Sequence, residues 1–123
     1  MTLKIIDVSE HQGKIDWATA KKYIDGAIIR TGYGDDLKAQ DDKYAAYNMT
    51  ECERLGIPYA TYLYSYANSS AHIQSEIAHE QRMTKGRKSL FHMLDLEVRA
   101  YTGTWKQAAQ EWLKAFPGGG VYT

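Results

Sequence analysis

Apolar and polar positions along this chain follow two rhythms that take turns. Short apolar runs predict strands at Lys4 to Ser9, Ala27 to Thr31, Tyr59 to Ala67 and Ser89 to Val98, and Gly120 to Thr123 opens as a fifth. Helix-period stretches lie between them. Asp16 caps a short one with Trp17, Ala20 and Ile24 on one face and Asp25-Gly26 at its end. Lys43 to Leu55 aligns Ala45, Met49 and Cys52, with Gly56 where the residue after a helix is expected. Ser69 or Ser70 caps a third, with Ile73 and Ile77 inward and Lys85-Gly86 at its end. Thr104 and Gln107 form a capping box for a fourth, whose Trp105, Ala108, Ala109, Trp112, Leu113 and Phe116 share a face.

Strands alternating with helices predict an α/β fold of parallel βα units, a partial (β/α) TIM-like barrel of about five strands and four helices. Four such units and one strand make half of an eight-stranded barrel, whose closure usually takes ~200 residues or more. Three arrangements fit: a truncated domain over 1–123 that lacks the last strands, copies associating as a homo-oligomer through open sheet edges, or a small open α/β layer.

The run from Leu90 to Val98 is apolar enough to predict a strand covered on both faces, and only Asp95 and Glu97 break it. Period-two alternation puts Phe91, Met93, Asp95 and Glu97 on one side, with the acids about 6 to 7 Å apart. At that separation two charges repel by roughly 3 kcal/mol at an effective dielectric of about 20, so one acid is pushed toward protonation. Such a pair suits the acid and base work of a glycosidase. It equally suits strand-end acids paired to Arg99 or another base.

In barrels and open α/β sheets, function gathers at the carboxyl ends of the strands. Asp7 stands there on the first strand, and Asp95 and Glu97 on the fourth. Asp7 alone also reads as a turn former before Ser9. Arg30, ending AIIRT, points either into the same mouth or at one of the acids as a structural partner. Tyr62, Tyr64 and Tyr66 share a strand face, as a sugar-stacking wall or as ordinary strand aromatics.

Composition changes this picture little. Fifteen basic and fifteen acidic residues give zero formal net charge without a basic stripe, which argues against nucleic acid. Ten Tyr and three Trp against two Phe favour rings with a polar edge, suited to sugars and to amphipathic packing alike. The single Cys52 excludes an internal disulfide and packs as a small hydrophobe. No signal peptide opens the sequence, and no stretch approaches the ~20 apolar residues of a membrane span. Among the histidines, only His72, Glu76, His79 and Glu80 cluster; lacking the HExxH order, they read as a solvated helix face and no metal site. Gly32-Tyr33-Gly34 lacks the third glycine of a dinucleotide loop. Asn48-Met49-Thr50 and Asn68-Ser69-Ser70 match the glycosylation acceptor pattern by chance, and the GxSxG nucleophile elbow is missing. A metal-dependent deacetylase using Asp95 with histidines is a further, weaker reading.

Four stretches together carry a resemblance: IDVSEHQGKIDW from Ile6 to Trp17, AIIRTGYG at 27–34, NMTECERLGIPYATYLYSYA at 48–67 and LDLE at 94–97. In that order they resemble the N-terminal part of the glycoside hydrolase family 25 lysozymes, the muramidases. The resemblance implies a barrel of five βα units and three further strands. It implies hydrolysis of the β-1,4 bond between N-acetylmuramic acid and N-acetylglucosamine in cell-wall peptidoglycan, outside the cell or after release by a phage. Glu97 then corresponds to the general acid and Asp95 to its partner, stabilising the anomeric centre or orienting the acetamido group. Asp7 matches the first-strand acid, and Arg30, Tyr62 and Tyr64 fall among substrate contacts. No cofactor is implied. The family's later strands have no counterpart here, so an inactive half-barrel that binds cell-wall glycan is the competing reading.

Overall fold

The computed structural model describes residues 2–96 and 105–122. Strands β1 (Ile5–Val8), β2 (Gly26–Tyr33), β3 (Tyr59–Ser65), β4 (His92–Leu96) and β5 (Gly120–Tyr122) alternate with helices α1 (Trp17–Ala20), α2 (Ala45–Leu55), α3 (Ser70–Thr84) and α4 (Trp105–Ala115). The strands form one sheet in chain order, and every pairing is parallel. This is the expected half of a βα barrel.

Local signals explain most boundaries. Ser69 caps α3 by accepting the His72 N–H at 3.2 Å. Gly56 ends α2 in the left-handed region, at φ 70°, where a side chain would be strained. Asp16 caps α1 through the Thr19 N–H and hydroxyl. That helix is shorter than its apolar spacing suggests. After Ala20 the chain tightens into turns in which Lys22 N–H reaches Thr19 O and Tyr23 N–H reaches Ala20 O. The Asp25 N–H then bonds to Lys4 O at 2.7 Å, tying the turn to the start of β1.

The helices cover one face of the sheet. Val8, Ala27, Ile29 and Tyr59 pack there against Trp17, Ala45, Met49 and Cys52. Leu63, Leu94 and Leu96 pack against Ile73, Ile77, Ala108, Trp112 and Phe116. Cys52 is buried as expected, and its thiol is pushed up to about 12 by burial. The other face is open, contrary to the expectation that β4 is covered on both. Leu94 and Leu96 are buried, whereas Met93 and Asp95 are half-buried and Leu90 and Phe91 are exposed. An apolar run therefore misreports coverage here, because the open side of the strand carries Met and Phe as well as Asp.

Candidate active site

Alternation in β1 sends Val8 into the core and leaves Asp7 on the open face. The turn after β1 does not use Asp7. Ser9 makes it, accepting the His11 N–H with its hydroxyl at 3.2 Å while its own N–H bonds to Gln12 Oε1 at 2.6 Å. The Asp7 carboxylate instead stands close enough to Tyr62 on β3 for its charge to act on the phenol. Burial, reinforced by the charge of Asp7, holds the Tyr62 phenol far above its usual range, so it remains a donor.

Strand register brings the other acid to the same rim. Tyr64, Asp95 and Tyr122 stand level on β3, β4 and β5. The Tyr122 phenol is pushed up to about 12, first by burial and then by the charges of Asp95 and Asp7. One hydroxyl thus feels the charge of both aspartates. Glu97 lies outside the described residues, as does Arg99, the base proposed to pair with these acids.

Arg30 resolves toward structural pairing, with acids other than those expected. Its Nε donates to Asp42 Oδ2 at 2.9 Å and its Nη2 lies 3.4 Å from Glu10 Oε1. Asp42 is buried and also accepts the N–H groups of Glu10 and Tyr44, so it anchors the guanidinium firmly. The Arg30 guanidinium still faces the groove, 6.0 Å from the Tyr33 ring centroid. The tyrosines divide. Tyr62 is buried, Tyr64 is half-buried, and Tyr66 is exposed with its ring edge-on to Tyr64 at 4.9 Å and to Tyr33 at 5.9 Å. Two shallow depressions flank this wall, one beside Glu10, His11, Arg30 and Lys43, the other beside Asp35, Gln40, His72 and Glu76; Tyr33 and Tyr66 line both.

The acidic and histidine cluster on α3 is not a solvated face. Glu76, His79 and Glu80 are all buried against the sheet. Glu80 accepts the hydroxyls of Thr31 and Thr61 and sits beside His92 Nδ1, each at 2.6 Å. His79 bridges Gly34 O at 3.0 Å and Asp41 Oδ1 at 2.7 Å, and Arg82 holds Asp41 from outside. Glu76 accepts the Ser65 hydroxyl and the Tyr66 N–H. Buried polar groups survive when paired, and the strands supply the partners.

Sequence reasoning missed Tyr122, Glu10 and Asp42. Tyr122 was foreshadowed by the alternation Gly120, Tyr122, but its alignment with Asp95 is a matter of register. Among the described residues, no group of three or more His, Cys, Asp or Glu is placed to hold a metal ion, and no helix is long and apolar enough to cross a membrane. Chemically, two carboxylates with the buried phenol of Tyr62 near one of them can stabilise developing positive charge on a bound sugar; a proton donor must complete the set.

Comparison with known proteins agrees with this geometry. The sequence profile of the family described as "Glycosyl hydrolases family 25" matches residues 6–118. The fold is similar to the modular autolysin LytC from Streptococcus pneumoniae, solved with a synthetic peptidoglycan ligand: 29% identity, TM-score 0.81, covering 98% of this chain and 32% of that one. It is similar to the catalytic domain of endolysin ply40 from bacteriophage P40 of Listeria monocytogenes, at 20% identity and TM-score 0.87, covering 99% of this chain and 63% of that one. A muramidase from Trichobolus zukalii matches at 18% identity and TM-score 0.70, over 99% of this chain and 65% of that one. The chain therefore spans between about a third and two thirds of these relatives. No curated protein sequence matches it.

Proposed function

The chain belongs to glycosyl hydrolases family 25, and from that premise we propose that it acts on the bacterial cell wall as a peptidoglycan N-acetylmuramidase, cleaving the β-1,4 bond between N-acetylmuramic acid and N-acetylglucosamine. The observation that carries this reading is the placement of Asp7 and Asp95 near the carboxyl ends of β1 and β4, with Asp95 level with Tyr64 and Tyr122. In this reading Glu97 protonates the glycosidic oxygen as the leaving group departs. Asp95 and Asp7 face the anomeric centre and offset the charge that develops there. Tyr62 keeps the Asp7 carboxylate in place. Tyr64 and Arg30 contact the glycan, Arg30 from a position fixed by Asp42. No cofactor is needed for this chemistry.

Glu97→Gln tests the assignment. The variant is isosteric and cannot donate the proton, so release of reducing ends from purified peptidoglycan should fall by at least ~100-fold while circular dichroism stays unchanged. Turnover equal to the parent's would remove Glu97 from its role. The competing half-barrel reading predicts retention on insoluble peptidoglycan with no reducing ends released by the parent.

A further inference from the structure

Glu76 is a buried carboxylate that the proposed reaction does not use. It stands on α3 directly beneath the end of β3, 1% exposed. Its Oε1 accepts the Ser65 hydroxyl at 2.6 Å and its Oε2 accepts the backbone N–H of Tyr66 at 3.0 Å. Ser65 Oγ accepts in turn from the Ala67 N–H at 3.2 Å. Three consecutive residues leaving the strand are therefore tied to one side chain. The middle one is Tyr66, 58% exposed, whose ring meets Tyr64 and Tyr33 and borders both depressions of the groove.

We propose that Glu76 is a positioning residue for the glycan groove: by holding the Tyr66 backbone it sets the Tyr33, Tyr66 and Tyr64 rings as a wall against which a sugar ring of the substrate stacks. The proposal rests on the glycan reading above for the identity of the ligand. It does not rest on that reading for the link between Glu76 and Tyr66.

The surroundings make this link sensitive to pH. Burial pushes the Glu76 carboxyl up to about 7, the Ser65 and Tyr66 bonds pull it down, and Asp35 across the depression pushes it further up. His72, one turn earlier on α3, borders the same depression. His79, one turn later, is engaged by Asp41 and Gly34. Tyr33 and Tyr66 complete the ring of titratable neighbours. The ionised carboxylate makes charge-assisted bonds to both donors. On protonation its O–H turns toward Ser65 Oγ, and the Tyr66 N–H keeps only a neutral acceptor. Tyr66 is thus held more firmly above about pH 7 than below.

The test compares the parent with Glu76→Gln, Glu76→Ala, Tyr66→Ala and the double alanine variant. The first readout is the NMR signal of the Tyr66 ring between pH 5 and 9; the second is affinity for peptide-free peptidoglycan glycan strands. We expect the ring signal to step near pH 7 in the parent and not in Glu76→Gln, which mimics the neutral carboxyl. We expect Glu76→Ala to weaken glycan affinity about tenfold, as Tyr66→Ala does, with no further loss in the double variant. Glu76→Gln should stay within about threefold of the parent. A folded Glu76→Ala protein whose Tyr66 ring signal is unmoved, or losses that simply add, would overturn the proposal. A parent that binds no glycan would refute the functional reading, and the ring signal would still decide the role of Glu76.

Discussion

Asp7 and Glu80 are carboxylates that reach the same sheet from opposite sides, and their surroundings share almost nothing. Asp7 is exposed at the rim, where its charge acts on the Tyr62 phenol. Glu80 is sealed beneath α3, where two threonine hydroxyls and a histidine nitrogen crowd its oxygens at 2.6 Å. A buried carboxyl group needs its partners, so Glu80 holds β2, β3 and β4 in register as much as they hold it. The rim acid is open to a substrate. Which face of the sheet supplies its partners separates Glu80, a structural acid, from Asp7, the acid proposed for the reaction.

The sharpest way to break that contrast is to delete each acid and measure both stability and turnover. Glu80→Ala removes the carboxylate that Thr31 and Thr61 share, leaving them the longer bonds to Tyr62 O and Ser89 Oγ, and empties a packed site. A loss of about 3 to 5 kcal/mol in urea unfolding is expected. Asp7→Asn should change stability by less than about 1 kcal/mol yet lower the rate of reducing-end release by ~100-fold, close to 3 kcal/mol of transition-state stabilisation. If the two effects were exchanged, the division of labour between the faces would be wrong.

The sequence already held part of this division. Period-two alternation was enough to put Asp95 on the face opposite Leu94 and Leu96, and strand ends were enough to place Asp7 and Asp95 near the carboxyl edge of the sheet, although the sequence did not show that this face of β4 is open. The α3 stripe was also legible, and polarity misled. Ile73, Glu76, Ile77 and Glu80 recur at helical spacing, so the two glutamates fall on the same face as the two isoleucines that were assigned to the core. Their partners Thr31, Thr61 and Ser65 sit at strand positions in phase with Ile29 and Leu63, on the helix side. Polar residues on both surfaces of one interface announce a buried network, which neither surface announces alone. Tyr122 and the Arg30 partners Glu10 and Asp42 are different. They depend on strand register and on where a loop returns, and no local pattern encodes either.

Between the two extremes stands Glu76, buried on the helix side, its carboxyl pushed up to about 7 by burial. Because the folded value lies above the unfolded one, the native state holds the extra proton between about pH 4.5 and 7. Its contribution to stability is greatest below that window and is lost as pH rises through it. Unfolding free energy should therefore fall by on the order of 2 kcal/mol from pH 4.5 to 7.5 through this group. In Glu76→Gln that component of the slope should vanish. An unchanged pH profile in the variant would show that ionisation of Glu76 is not linked to folding.

The finest distinction concerns Tyr62, which is packed like a core residue but lies within reach of the charge of a rim acid. Tyr62→Phe keeps the ring and removes only the hydroxyl. If Tyr62 belongs to the core, the variant should unfold within about 1 kcal/mol of the parent, because a hydroxyl beside an exposed carboxylate adds little net stability. If it belongs to the site, the rate should drop about tenfold, since Asp7 would then sample orientations that no longer face the anomeric centre. Both outcomes are expected together, because packing and function use different atoms of the same side chain. A tenfold slower enzyme with parental stability would assign the ring to the fold and the oxygen to the chemistry; an unchanged rate would leave Asp7 positioned by its strand alone.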